Sequence, residues 1–489
     1  MLFHSYFFLF VFLPLALAGW YLFNQLKLRK AAQGYLIGMS LWFYAYFNVD
    51  FLWAMLGSCL FNYGLSFLLA QKDLPGRRKF FLTVGCLGNV GALAVFKYTN
   101  FILENMNAVF STDFQMKKIL LPLGISFFTF QQLSFLIDRC RGELEHVGLV
   151  DYLSFVTFFP SLVSGPIVLH GATVVQFQDV SRRRFDGESF AKGVMLFALG
   201  LGKKVLLADT LALAVNYGYA HIPSLDSLSA LTVAVFYTLE LYFDFSGYSD
   251  MAIGVGKMFR IEIPANFHSP YRAVSVKDFW KRWHMTLSGF LQRYIYFPLG
   301  GSRKGKGRTY ANTMVTFLVS GLWHGANWTF VFWGFLHGLG VICSGGKKDG
   351  EKRGGYRRLC QIGTFAYVCM AFVFFRAERI GDGFELLSRI FAGGLNGSLA
   401  AVAASMEPSE VYLITKALSM AAPGLVGAVQ VAVMALIAAF CFAVIAGKRT
   451  DELVERRQIG LGFTFLLAVV FAWSVISLSG VSTFVYFSF

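Results

Sequence analysis

Apolar residues of this chain gather in long runs that short basic segments separate. A run of about 18 or more apolar residues is long enough to cross the hydrocarbon core of a bilayer as a helix. The pattern therefore predicts an all-α polytopic membrane protein. The predicted crossings are residues 3–23, 33–49, 51–70, 80–97, 119–137, 192–215, 226–245, 359–375, 424–446 and 459–481.

The basic segments predict the direction of each crossing, because cytoplasmic loops are enriched in Lys and Arg. Clusters of basic residues follow the first, third and fifth runs, which places the N-terminus outside. Residues 257–310 carry eleven Lys and Arg against two acidic residues and are also rich in aromatic residues. We interpret this segment as a cytoplasmic region of interfacial and dipping helices.

Two further apolar stretches are predicted not to cross. Residues 150–170 are interrupted by prolines and a glycine and have basic residues nearby on both sides, which is typical of a re-entrant segment. Residues 313–344 lie between basic segments, so they are expected to enter and leave on the cytoplasmic side, with a turn at residues 325–327. Residues 376–423 form the longest predicted extracytoplasmic stretch, with an amphipathic helix near residues 384–390.

Composition agrees with this pattern. The 489 residues are 56% hydrophobic and 15% charged, with a mean hydropathy of +0.57, whereas soluble domains carry about 25% charged residues. The net charge of +15 comes from loops between the crossings, so it indicates membrane topology and not nucleic-acid binding. The seven cysteines contain no CxxC pair, which argues against a disulfide framework or a zinc site.

Polar residues within apolar runs are candidates for function, because such residues usually face a cavity or a partner. Three segments carry them: LYFDFSGYSDMAIGVGKMF (241–259) with Asp244 and Asp250, DFWKRWHMTLSGF (278–290) with His284, and FLVSGLWHGANWTFVFWGF (317–335) with His324. Imidazole titrates near neutrality and can act as a general base toward a hydroxyl or thiol. The structural alternatives are a satisfied core histidine and an aspartate that caps or hinges a helix.

Other chemistry finds less support in the sequence. HxxxH and HExxH motifs are absent, and a continuous helix would separate His324 from His337 by about 20 Å, which argues against a shared metal ion. There is no Walker loop and no GxSxG motif. The segment LGLGKKVLLAD (199–209) contains Lys203 and Lys204, which are interpreted either as a site for an anionic group or as snorkelling side chains.

With these segments the chain resembles the membrane-bound O-acyltransferase family, in particular its bacterial branch that acetylates alginate. The resemblance extends in order over residues 120–380 and is also carried by PLGISFFTFQQLSFLIDRCRG (122–142), FFPSLVSGPI (158–167), NFHSPY (266–271) and VFFRAE (373–378). We therefore expect three parts: N-terminal membrane helices (1–118), a catalytic core (119–380) and a C-terminal part (381–489).

The resemblance implies roles for individual residues. The histidine of the WHG segment, His324, corresponds to the catalytic residue of the family, and His284 of the RWH segment to a second functional residue. The implied fold is a ring of about 10–12 transmembrane helices, with re-entrant and interfacial helices, around a thinned central funnel. Candidates for lining the funnel or contacting substrate are Asp244, Asp250, Asn327, Trp323, Trp283, Lys281 and Arg282.

The sequence also departs from the family pattern at two places. Gln292-Arg293 stands where an Arg-Asp pair is common, so a role for that carboxylate is not carried over. His268 stands where an asparagine is more usual.

The function that the resemblance implies is acyl transfer, with acetyl as the expected group. The donor would be a cytoplasmic thioester such as acetyl-CoA, with phosphate contacts from Lys281, Arg282 and the basic run at 300–308; no bound cofactor or metal is expected. An extracytoplasmic SGNH-type acetyltransferase would receive the group and esterify an exopolysaccharide or cell-wall glycan. The protein would be a multi-pass protein of the bacterial inner membrane, in contact with the lipid bilayer.

Two alternatives remain open at this point. One is transfer of D-alanine to teichoic acid. The other is a transporter or flippase whose polar residues line a pathway, although the internal repeat typical of many secondary transporters is not evident.

Overall fold

The computed structural model describes residues 1–70, 75–344, 354–456 and 460–480, and every regular element within them is a helix. The first twelve helices are α1 (Leu13–Gln25), α2 (Arg29–Ala45), α3 (Val49–Ala70), α4 (Pro75–Leu93), α5 (Thr99–Phe110), α6 (Ile125–Arg141), α7 (Leu149–Thr157), α8 (Phe159–Leu162), α9 (His170–Gln178), α10 (Gly187–Gly202), α11 (Asp209–Ala220) and α12 (Ser227–Met258). The others are α13 (Val276–Trp280), α14 (Met285–Leu291), α15 (Gly305–His324), α16 (Trp328–Cys343), α17 (Gly354–Arg376), α18 (Ile380–Ala392), α19 (Leu399–Ser405), α20 (Ser409–Ala421), α21 (Val426–Ala446), α22 (Thr450–Arg456) and α23 (Leu461–Ile476). The predicted all-α class is confirmed.

Six helical segments of the described chain are long and apolar enough to cross a membrane. They are Phe8–Gln25, Val49–Ala70, Gly76–Phe110, Ser227–Met258, Gly354–Arg376 and Pro423–Ala446. The other four predicted crossings coincide with α2, α6, α10 with α11, and α23, which are helical but shorter or more polar; residues 459 and 481 of the last lie outside the described residues. The protein is therefore a multi-pass membrane protein.

The chain divides into two compact units, of which the first contains residues 1–198 and 248–265. Its core is aromatic: the Phe159 ring lies 5.2 Å from Phe12 and 5.4 Å from Phe43 between centroids. The stretch 150–170 is divided between α7, α8 and the start of α9, and α7 and α8 have nine and four residues. These helices are too short to cross a bilayer, so the predicted interruption is confirmed.

The second unit contains residues 199–247 and the described part of 266–489. Between residues 266 and 297 it has only short helical pieces, the five-residue α13 and the seven-residue α14 among them. This agrees with the prediction that the basic aromatic segment does not cross. The amphipathic helix predicted near residues 384–390 is α18.

Helices α15 and α16 of the second unit form a close hairpin. α15 ends at His324. Asn327 is the N-cap of α16, and its side-chain oxygen accepts a hydrogen bond from the Thr329 backbone N–H at 3.0 Å. A Cβ atom added to Gly321 would lie less than 3.0 Å from the Phe330 carbonyl oxygen. The predicted turn at 325–327 is confirmed. The helix is therefore not continuous between His324 and His337, and the separation calculated for a continuous helix does not apply.

We expect Gly321→Ala to destabilise this hairpin by about 1–3 kcal/mol, the usual cost of overpacking a close contact. The apparent Tm of the purified protein in detergent should fall. Gly307→Ala is the matched control, because Gly307 lies on the same helix and an added Cβ there meets no atom within 4 Å. Equal Tm values for the two variants would contradict the proposed backbone contact.

Candidate functional site

His324 is the last residue of α15 and lies in an aromatic enclosure within the second unit. Its side chain is only 4% exposed. The imidazole centroid lies 4.8 Å from Trp323, 5.1 Å from Trp333 and 5.1 Å from Phe375, and all three rings meet it edge to face. Because these rings belong to three helices, the packing of the hairpin against α17 fixes the orientation of the imidazole.

His284 lies beside this enclosure, with its ring centroid 6.4 Å from that of His324. The two histidines are separated by forty positions in the sequence, and the structure brings them together. His284 is fully buried and has φ 44° and ψ 53°, a left-handed conformation that a residue other than glycine rarely adopts. This backbone conformation directly precedes α14 and directs the ring toward Phe245, whose centroid is 4.6 Å away.

Asn266 holds His284 in place. Its backbone oxygen accepts from the Met285 N–H at 2.9 Å, and its side-chain Oδ1 accepts from the Thr286 hydroxyl at 2.6 Å. The same Oδ1 lies 3.3 Å from His284 Nδ1. An amide oxygen can only accept, so Nδ1 carries the proton in this hydrogen bond and Nε2 is left with a lone pair. Burial lowers the pKa of His284 below its ordinary value, which favours the neutral ring.

Three residues that the sequence reasoning did not assign belong to this site. Asn266 lies in the NFHSPY segment, which was a signal of the resemblance but was given no role. Ser320 precedes His324 by one helical turn, so both lie on one face of α15. The Ser320 hydroxyl and the Trp333 indole N–H are buried and have no hydrogen-bonding partner among the described residues. Since buried polar groups are normally paired, these two donors are available to a bound molecule beside His324.

Asp244 forms a buried ion pair. The Lys204 ammonium lies 2.6 Å from Asp244 and 2.8 Å from Asp209, and both Lys204 and Asp244 are only 1% exposed. The predictions that Lys204 serves as an interfacial anion site or snorkels are therefore wrong. Asp244 lies within α12, so it is not a helix cap either. Lys203 is half-buried, and its ammonium donates to the Thr450 hydroxyl at 2.6 Å.

The two predicted tryptophans are both buried. Trp323 contacts the His324 ring, and Trp283 stacks on Phe279 with centroids 5.4 Å apart. Asn327 caps α16, and its side-chain amide donates to the Glu378 carbonyl oxygen at 2.8 Å. Trp323 thus lies directly at the site, whereas the described contacts of Asn327 stabilise the turn of the hairpin.

The predicted charged residues are dispersed. Lys281 is exposed, and Arg282 donates to the Asp278 carboxylate at 2.9 Å. Asp250 is half-buried in the part of α12 that belongs to the first unit. Arg282 therefore forms an ion pair, and the described contacts assign no chemical role to Lys281 or Asp250.

No group of three or more His, Cys, Asp or Glu side chains within the described ranges is arranged to hold a metal ion. His337 accepts a hydrogen bond from the Trp280 indole N–H at 3.1 Å, and its ring packs on Trp333 at 4.7 Å. Trp333 therefore contacts both His324 and His337, which lie on opposite arms of the hairpin.

Known proteins are similar to this chain over most of its length. The sequence model described as the membrane-bound O-acyltransferase family matches residues 36–379, which include both histidines. The peptidoglycan O-acetyltransferase of Helicobacter pylori is 34% identical, over 100% of this chain and 98% of its own length. The "Probable alginate O-acetylase AlgI" of Pseudomonas aeruginosa is 36% identical over 81% of this chain and 75% of its own. The teichoic acid D-alanyltransferase of Bacillus subtilis is 28% identical over 52% of this chain and 69% of its own.

Proposed function

Since the chain belongs to the membrane-bound O-acyltransferase family and is an acyltransferase, we propose that it moves acetyl groups from a cytoplasmic thioester across the bacterial inner membrane for O-acetylation of a cell-wall glycan. The observation that carries this proposal is the buried pair of His324 and His284, with ring centroids 6.4 Å apart. Peptidoglycan is the favoured glycan, because the relative of that name is similar over the whole chain, including the part after residue 379.

In the proposed mechanism His324 is the general base. Its imidazole accepts the proton of an acceptor hydroxyl, and the hydroxyl oxygen attacks the thioester carbonyl carbon. The C–S bond breaks, and the proton passes from the imidazolium to the leaving thiolate. General base catalysis by a positioned imidazole contributes about 10²–10⁴-fold to a rate.

The remaining groups of the site fit supporting roles. Ser320 and Trp333 offer buried donors for the oxygen on which negative charge develops during attack, and such donors are most effective where water is excluded. His284 provides the second imidazole, and Asn266 is its positioning residue. Lys281, Arg282, Asp244, Asp250 and Asn327 stay candidates for shaping the donor and acceptor paths.

The proposal includes an extracytoplasmic partner of the SGNH type, which would receive the acetyl group and esterify the glycan. The family match favours acyl transfer over the transporter alternative. D-alanyl transfer is the second candidate, supported by the similarity to the Bacillus subtilis enzyme over half of this chain. The two candidates differ in donor: acetyl-CoA in the first and a D-alanylated carrier protein in the second.

Membrane vesicles with an exposed cytoplasmic face provide the test. The vesicles contain this chain and its SGNH-type partner and receive either radiolabelled acetyl-CoA or a radiolabelled D-alanyl carrier protein. We expect base-labile label in the peptidoglycan fraction from acetyl-CoA alone, and no label when the chain is omitted. Label from the D-alanyl carrier alone, or equal label without the chain, would contradict acetyl transfer.

A further inference from the structure

The second unit contains a cavity of about 420 Å³. Most of its lining residues are charged, whereas the residues around His324 are aromatic. Its charged lining consists of five cationic residues and one acidic residue: Arg272, Arg282, Arg357, Lys448, Arg449 and Glu452. This volume is in the range of small-molecule sites, which are usually apolar. A lining dominated by cations indicates an anionic ligand and not an acyl chain.

Three separate segments of the chain build this cavity. Arg272 and Arg282 flank α13, Arg357 lies in the first turn of α17, and Lys448 and Arg449 lie between α21 and α22. The charge pattern of the sequence assigns all three segments to the cytoplasmic side. Lys448 and Arg449 lie beyond residue 379, where the family match ends, so the cavity includes residues that the family pattern does not contain.

The positive charge of the cavity is only partly neutralised. Arg282 pairs with Asp278 at 2.9 Å, and Arg449 pairs with Asp451 and lies 3.9 Å from Glu452. Within the described ranges, Arg272, Arg357 and Lys448 have no acidic partner. Cations collected in one concavity repel each other and raise the local concentration of anions, so a ligand with several negative charges would relieve the repulsion.

The hydrogen-bonding character of the lining is also that of an anion site. Guanidinium groups present paired donors that match the oxygens of a phosphate. His268 Nδ1 lies 3.0 Å from the Arg449 Nη1 donor, so Nδ1 accepts and Nε2 carries the proton. Partial burial and the neighbouring Arg449 and Arg282 hold the pKa of His268 below its ordinary value, which keeps this ring a neutral donor.

We propose that this cavity binds the phosphate groups at the adenine-nucleotide end of a coenzyme A-type donor. This inference rests on the proposed function, which requires a cytoplasmic thioester. A carrier protein presents its thioester arm on a single phosphodiester, whereas a nucleotide-bearing thioester carries several phosphates. Arg272, Arg357 and Lys448, which have no acidic partner in the part of the chain that the structure describes, match the second kind of donor better than the first.

Binding of adenosine 3′,5′-bisphosphate tests the cavity without any acyl transfer. The purified full chain should bind this probe, and Arg357→Gln and Lys448→Gln should each weaken binding about tenfold. Arg358→Gln is the matched control, because Arg358 is the next residue, is exposed and does not line the cavity. Absence of binding to the wild-type chain, or equal losses in Arg357→Gln and Arg358→Gln, would overturn the proposal.

A comparison of two donors distinguishes this inference from the proposed function. Arg357→Gln should raise the KM for acetyl-CoA about tenfold with kcat retained, and leave the KM for acetyl-pantetheine, which has no phosphate, unchanged. If the chain transfers acetyl from neither donor but binds the bisphosphate, the proposed function fails and the cavity assignment stands. If the bisphosphate does not bind and vesicles of an anionic phospholipid bind through Arg357 instead, the ligand is a headgroup and the nucleotide assignment is wrong.

Discussion

His324→Ala is expected to lower acetyl transfer by at least about 100-fold, because it removes the imidazole that accepts the proton of the acceptor hydroxyl. The described contacts of the ring are with aromatic side chains, and we expect the substitution to leave the fold in place. Transfer of label from acetyl-CoA to the glycan measures the effect. The apparent Tm and bisphosphate binding of the purified variant show whether the chain remains folded.

His221→Ala is the matched control for this experiment, because His221 is an exposed histidine of the same unit. It should transfer acetyl groups at the wild-type rate. Wild-type transfer by a folded His324→Ala variant would refute the assignment of His324 as the base.

The contribution of His284 is measured with the same assay. Asparagine is the suitable replacement, because it tolerates the left-handed backbone that His284 adopts, whereas alanine would add strain. If the two imidazoles act as a unit, the double variant His284→Asn with His324→Ala should be no slower than His324→Ala alone. Additive losses would mean that His284 acts independently of His324.

Lys204→Met is expected to destabilise the protein by about 3–5 kcal/mol, because it removes the buried ammonium that lies within 2.8 Å of both the Asp209 and the Asp244 carboxylates. The apparent Tm in detergent and the yield of folded protein measure the loss. A triple variant tests the cause of this loss. Adding Asp209→Asn and Asp244→Asn to Lys204→Met removes the two carboxylate charges and should restore much of the stability.

Lys203→Met is the comparison for this second experiment. Lys203 is half-buried whereas the Lys204 side chain is only 1% exposed, so water can reach the groups that lose the Lys203 ammonium and its loss should cost less than that of Lys204. Failure of the two Asn substitutions to raise the Tm of Lys204→Met would show that the buried charges are not the cause of the instability.

Much of the architecture is predictable from the sequence because it depends on local pattern. Apolar length identifies the helices, and the glycine and asparagine of residues 325–327 mark the turn that separates α15 from α16. The pairing of Lys204 with Asp244 is not predictable in the same way. These two residues lie forty positions apart on different helices. The periodicity of a helix indicates which of its faces is polar, but it does not indicate which residue of another helix that face contacts.

The candidate site shows the same limit. His324 and His284 were predicted through family resemblance, and their proximity depends on how α14 approaches the hairpin. Asn266 was missed because an asparagine between short helices has no periodic signal, although its segment was one of those that carried the resemblance. The cationic cavity was predicted only as separate basic loops, since charge patterns assign loops to a side of the membrane but do not bring them together.

The contact between the two arms of the hairpin has a mechanical consequence for catalysis. Where the α15 and α16 backbones touch at Gly321 and Gly334, no layer of side chains separates them that sliding can rearrange. We therefore expect the two helices to move together as one rigid unit, with His324 at the end of α15. The other parts of the enclosure are Phe375 of α17 and the short segments around His284, so we expect an opening that admits a substrate to come from displacement of these parts.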